Sequence, residues 1–257
     1  MNSVSSIPPL AIQQLCMQFG STTVLNGIDL QIAAGERLAV IGPNGAGKST
    51  LFHLVSGKLQ PGSGDIRLRG ESIVGRTPQE IYRRGLARSF QITQLFPRLS
   101  VAENLQCATL WALGYRYTFW RRLCGLTDVQ QRVDALLERF GLTARRDVAA
   151  GALSYAEQRT LEIGIAMAGD ADVILLDEPT AGMSRSESEA AVRLIREVTV
   201  GKTLMMVEHD MSVVFGLADR IAVLANGELI ACDIPDKIRS DARVQEAYLG
   251  GLMESCT

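Results

Sequence analysis

Gly42-Pro43-Asn44-Gly45-Ala46-Gly47-Lys48-Ser49 decides how the rest of this chain is read. The stretch fits the P-loop pattern G-x-x-x-x-G-K-[ST]. The apolar run Arg37-Leu38-Ala39-Val40-Ile41 before it predicts a buried strand, and Thr50-Leu51-Phe52-His53-Leu54-Val55 after it predicts a helix. Strand, glycine loop and helix form the context in which the pattern has physical meaning. Glycines let backbone N–H groups turn inward around phosphate oxygens, and the helix N-terminus adds partial positive charge. Gly42 through Ser49, with Thr50, would then form a phosphate cradle. Lys48 would reach the β- and γ-phosphates, and the Ser49 hydroxyl would ligate Mg²⁺.

A second stretch fits the same chemistry. Val173-Ile174-Leu175-Leu176-Asp177-Glu178 is an apolar strand that ends in two acids. A buried strand tolerates carboxylates at its carboxyl end, where α/β folds place their ligands. Asp177 there can hold Mg²⁺ through the ion's water shell. Glu178 can polarise a water for in-line attack on the γ-phosphate.

Composition narrows the class. The chain has 257 residues, room for one large α/β domain with a subdomain. Lys and Arg number 26 against 28 Asp and Glu, so no basic field points to nucleic acid. Cys16, Cys107, Cys124, Cys232 and Cys256 lack C-x-x-C spacing, which predicts free thiols in a reducing compartment. Met1 to Leu10 lacks a signal-peptide pattern, and no run approaches the roughly 20 apolar residues of a membrane span. The expectation is a soluble, cytosolic protein, with docking on a membrane protein left open.

Periodicity sets out the elements. Leu15–Phe19, Ile28–Ile32 and Asp65–Leu68 read as strands, the last after a turn at Pro61–Gly64. Residues 77–165 turn helix-rich. Val129, Val133, Leu136, Leu137 and Phe140 recur at three- and four-residue spacing, predicting a helix over Asp128–Leu142 with Gly141 as its stop. Strand and helix alternate again after Asp172: a helix over Ser186–Val198, a strand over Leu204–Glu208, and a hairpin of Ile221–Ala225 and Glu228–Cys232 about Asn226-Gly227. The helical block therefore reads as an insertion into an α/β core.

The ordered set of motifs resembles the ATPases of ABC transporters over about residues 10–250. Leu153-Ser154-Tyr155-Ala156-Glu157-Gln158 stands where that family carries its LSGGQ signature. His209 occupies the place of the switch histidine, Gln91 that of the Q-loop, and Phe19 that of the aromatic ring stacked on adenine. Ala181-Gly182-Met183-Ser184 falls at the D-loop. The resemblance implies an α/β, P-loop ABC-type nucleotide-binding domain with an antiparallel β portion and a helical subdomain over about 92–168. A short tail, 251–257, follows. It implies ATP and Mg²⁺ as ligands, with Ser49, Gln91 and Asp177 on the metal side. Glu178, His209, Lys48 and Gln91 would carry the chemistry. Two such domains would pair head to tail. Ser154, Tyr155, Ala156 and Glu157 would then face the γ-phosphate held by the other subunit.

Departures from the family pattern carry further expectations. Tyr155, Ala156 and Glu157 replace glycine, glycine and glutamine, although their backbone N–H groups remain. Ser154-x-x-Glu157 is also a capping box, so the segment reads equally as an ordinary helix start. Ser184 stands where the D-loop usually has Asp. These changes imply that the chain works with a related but distinct ATPase subunit. His53 reads as structural. The aromatic stretch with Trp111, Tyr115, Tyr117, Phe119 and Trp120, then Arg121 and Arg122, reads either as packing within the subdomain or as a membrane-surface anchor.

The ending at Val244–Gly250, with Leu161-Glu162-Ile163-Gly164 and Glu178-Pro179-Thr180-Ala181-Gly182-Met183, resembles the ATPases of branched-chain amino-acid importers, including the urea and amide branch. That implies transmembrane permease subunits, a periplasmic or extracellular solute-binding protein acting indirectly, and a peripheral position on the cytoplasmic face of the cell membrane. A lipopolysaccharide-type exporter ATPase and a soluble ABC protein remain as alternatives at this point.

Overall fold

The computed structural model of the protein describes residues 7–89, 95–115, 126–169 and 171–247. Two sheets organise it. The first is antiparallel, in the order β2-β1-β4-β5, from β1 (Leu10–Phe19), β2 (Thr22–Ile32), β4 (Ser63–Leu68) and β5 (Glu71–Ser72). The second has the order β10-β9-β3-β8-β7-β6. Its members are β3 (Arg37–Ile41), β6 (Leu86–Arg88), β7 (Val173–Asp177), β8 (Thr203–Val207), β9 (Arg220–Ala225) and β10 (Glu228–Asp233). All of its pairings are parallel except the β9–β10 hairpin.

Both faces of the second sheet are covered, which explains its unbroken apolar strands. Successive side chains point to opposite faces. Val173 and Leu175 of β7 pack with the antiparallel sheet and α1 (Lys48–Val55), while Ile174 and Leu176 pack with the helices on the other side. Leu38 and Val40 against Ala39 and Ile41 of β3 divide in the same way.

Between β5 and β6 lies α2 (Pro78–Arg83), and between β6 and β7 come α3 (Val101–Ala112), α4 (Thr127–Arg139) and α5 (Tyr155–Ala166). The remaining helices are α6 (Arg185–Val198), α7 (Met211–Leu217) and α8 (Pro235–Ser240). The α4 stripe is buried as its spacing predicts, and the chain turns away at Gly141, φ +66°. At the hairpin tip, Asn226 and Gly227 have φ of +49° and +78°, the left-handed pair that a tight two-residue loop requires. Gly227 O accepts the Asn26 N–H at 2.8 Å, tying the second sheet to β2.

Strands β1 and β2 run longer than their apolar alternation suggests. The polar pairs Gln13-Gln14 and Asn26-Gly27 interrupt the pattern. In the fold they lie at irregular register, with Gln14 at φ +45°, so the ladder passes the interruption as bulges. Among the described residues no helix is long and apolar enough to cross a membrane.

Candidate functional site

Parallel pairing brings the carboxyl ends of β3, β8, β7 and β6 to one edge of the sheet. The P-loop follows β3, Asp177 ends β7 and Glu178 follows it, Glu208 and His209 follow β8, and Arg88 ends β6. Segments far apart in sequence therefore converge.

A cleft of about 320 Å³ opens there, lined by Val24, Asn44 through Thr50, Glu178 and His209. The loop can fold so tightly only with glycine at its tightest points. A Cβ on Gly42 would lie 2.1 Å from Leu224 O. Gly47, at φ +98°, forms the N-cap of α1. No side chain caps that helix, and its first turn holds no acid. By contrast, α2, α5 and α6 each begin with a complete capping box. The start of α1 thus keeps its N–H groups and positive dipole end for an anion. This is the observation that fits the segment to a nucleotide phosphate.

Lys48 is buried, and its ammonium donates to Gly42 O at 2.7 Å and Pro43 O at 2.9 Å. Burial lowers its pKa from the ordinary value, and the nearby Glu178 carboxylate opposes that shift. Glu178 holds a left-handed backbone, φ +47°, rare for a residue with a Cβ. Its N–H is fixed on Val207 O at 2.9 Å, and its Oε1 lies 2.6 Å from His209 Nε2.

Asp177 stands behind this pair, almost fully buried, with Oδ2 accepting from Arg88 Nη2 at 2.7 Å. Glu208 is also buried. It accepts from Thr180 N at 2.9 Å and Thr180 Oγ1 at 2.6 Å, while its other oxygen takes the His209 N–H at 3.0 Å. It ties the loop after Glu178 to the histidine. Arg88 and Glu208 are absent from the residues that motif reading selects. Glu208 carries the signal that marks Asp177, an acid ending a buried strand.

Other expected site residues lie outside the cleft lining. Phe19 ends β1 and is 49% exposed, while Val24 on the paired strand lines the cleft. Gln91 falls outside the described residues, as do Tyr117, Phe119, Trp120, Arg121 and Arg122. Tyr115 packs against the helical core and donates to Asp128 Oδ2 at 2.7 Å. His53 lies on α1 away from the lining; burial, then the Arg88 charge, lowers its pKa.

The signature segment forms the start of α5. Ser154 Oγ accepts the Glu157 N–H at 3.3 Å, and Glu157 Oε2 accepts the Ser154 N–H at 2.9 Å. The Ser154 N–H lowers the Glu157 pKa most, with Arg145 also pairing the carboxylate at 2.8 Å. The Glu157 charge is therefore met within its own chain. The Tyr155 ring lies against Gly182 of the D-loop segment, and its hydroxyl accepts from Arg159 Nε at 3.2 Å. Ser184 caps α6 in a capping box of its own, with Glu187.

Residues 25–181 match the family model described as ABC transporter. The chain belongs to the ABC transporter ATPase family. Residues 228–251 match a second model, described as branched-chain amino acid ATP-binding cassette transporter. The high-affinity branched-chain amino acid transport ATP-binding protein LivG of Salmonella typhimurium strain LT2 is 36% identical over 254 residues, covering 95% of this chain and 99% of LivG. BraF of Pseudomonas aeruginosa, described in the same terms, is 35% identical over 257 residues with coverage of 95% and 99%. The ADP conformation of MJ1267, an ATP-binding cassette of an ABC transporter, superposes with a TM-score of 0.82 at 28% identity, covering 94% of this chain and 98% of that one. This cassette is accordingly an α/β ABC ATPase subunit of a membrane transporter.

Proposed function

We propose that this ATPase powers import of branched-chain amino acids or related small polar solutes. The observation that carries the reading is the nearly full-length likeness to LivG and BraF, which extends into the C-terminal segment 228–251.

In the proposed reaction, Phe19 stacks on adenine, and Lys48 with N–H groups of the P-loop and α1 hold the phosphates of ATP. Ser49, Asp177 and Gln91 would hold Mg²⁺; their hard oxygen donors suit that ion, which when bound neutralises charge on the phosphate oxygens. Glu178 accepts a proton from the attacking water. The water oxygen bonds to the γ-phosphorus as the bond to the β–γ bridging oxygen breaks, leaving ADP and phosphate. His209, already on Glu178 Oε1 at 2.6 Å, orients that carboxylate and supports the γ-phosphate.

Ser154 to Glu157 lie outside the cleft lining, which supports their acting on a nucleotide held by another subunit. The capping box engages part of that helix start, so we propose pairing with a distinct ATPase that contributes a better signature. Permease subunits would hold the pair at the cytoplasmic face of the membrane, receiving solute from a solute-binding protein outside.

The test is mass spectrometry of the complex extracted from membranes through a tag on this chain, followed by leucine, isoleucine and valine uptake in proteoliposomes. The expected result is permease subunits, a sister ATPase and ATP-dependent uptake. Capture of a lipid-exporting permease, or of no membrane protein, would overturn the importer reading. One ATPase species in two copies, fully active, would remove the heterodimer. In a heterodimer, Ser154→Arg here should impair the partner's ATP site first.

A further inference from the structure

Arg88 ends β6, the edge strand beside β7, in register with Leu175. Its side chain is 5% exposed, and that of its partner Asp177 is 2% exposed. One arm of the guanidinium, Nη2, donates to Asp177 Oδ2 at 2.7 Å. The other arm, Nη1, donates to Ser56 Oγ at 2.7 Å and Phe52 O at 3.2 Å. Ser56 Oγ in turn donates to Phe52 O at 2.8 Å, so the hydroxyl both receives and gives a hydrogen bond. The guanidinium carbon also lies 5.8 Å from the centre of the Phe52 ring. Phe52 and Ser56 form the C-terminal end of α1, whose N-terminal end is the phosphate cradle.

We propose that Arg88 is a positioning residue for hydrolysis: it locks the Asp177 carboxylate to the P-loop helix so that both halves of the site keep one geometry. The proposal rests on the site reading given above. Three physical points carry it. A carboxylate as buried as Asp177 is costly to leave without a paired cation. The cation sits at the negative end of the α1 dipole, which favours it there. A planar fork can serve two partners at once, whereas a lysine ammonium is a point charge. Because Arg88 engages Oδ2, the carboxylate is held in one rotation and Oδ1 is the oxygen that Arg88 leaves for the metal side.

The experiment uses the full chain, with Arg88→Met, Arg88→Lys and Ser56→Ala. A fluorescent ATP analogue is titrated in Mg²⁺ and in EDTA, and thermal unfolding checks each variant. The wild type should gain affinity with Mg²⁺. Arg88→Met should lose about tenfold or more of that gain, the range seen when groups that orient metal ligands are removed. Affinity in EDTA should stay within about twofold, because Lys48 and the loop amides hold the phosphates. Arg88→Lys should restore part of the gain, and Ser56→Ala should lose a smaller part. Wild-type Mg²⁺ dependence in Arg88→Met would overturn the proposal. So would equal losses in Mg²⁺ and EDTA, which mark a purely structural role. If Arg88→Met fails to fold, wild-type Mg²⁺ dependence in both other variants overturns it. A wild type without any Mg²⁺-dependent gain would instead overturn the site reading itself.

Discussion

Replacing Glu178 with glycine should leave a more stable protein than replacing it with alanine, though both lose hydrolysis. Glu178 sits at φ +47°. A side chain with a Cβ costs about 1–2 kcal/mol in the left-handed region. The conformation persists because the residue is held from two sides, its N–H on Val207 O at 2.9 Å and its carboxylate on His209 at 2.6 Å. Both substitutions remove the carboxylate contact, so that loss cancels in the comparison. They differ in the Cβ. Glycine escapes the strain but gives back about 0.4–1 kcal/mol through the greater freedom of its unfolded chain. The balance favours glycine by about 0.8 kcal/mol at the centre of these ranges. For a domain of this size that is about 1–4 °C in melting temperature. Thermal unfolding of the nucleotide-free full chain measures it. Phosphate release by the assembled complex should fall about 10²–10⁴-fold in both variants, as when a general base is lost. Glu178→Gln should fall similarly while still binding MgATP. If the alanine variant melts at or above the glycine variant, the strain argument is wrong. Near-wild-type turnover in any of the three shows that another group orients the water.

Two further outcomes follow from the same geometry. Gly42→Ala would put a Cβ 2.1 Å from Leu224 O, a backbone atom of a central strand that cannot yield; the loop must shift, costing about 1–3 kcal/mol and most of the ATP-analogue binding, read by melting and titration. Glu157→Gln tests the capping box by pH. The Ser154 N–H, then Arg145, holds the Glu157 carboxyl below its ordinary value of 4.5, so its contribution is present above that value and lost as pH falls through the lowered one. Urea midpoints of wild type and variant should therefore differ at neutral pH and converge on acidification. A gap that persists at about pH 2 would contradict the assignment.

Much of this protein was legible without coordinates because its signals are local. The P-loop, the acids ending β7 and the Ser154 helix start each depend on residues a few positions apart. The fully apolar strands announce a sheet covered on both faces, and the α4 stripe follows from helical spacing alone. The bulged lengths of β1 and β2 were hidden because Gln14 and Asn26 break the alternation that reveals a strand; only pairing with a neighbour shows that the ladder continues. Arg88 was hidden for a stronger reason. Its partner Asp177 lies 89 residues along the chain, and an arginine ending a short edge strand looks solvent-facing until β7 and α1 close over it. Glu208 needed the Thr180 loop beside it before its buried oxygens had a use. The sequence by itself determined which groups could meet a phosphate. The parallel order of β3, β8, β7 and β6 decided which of them stand at one edge, and which charges hold them there, because ion pairs between distant strands leave no periodic trace in the chain.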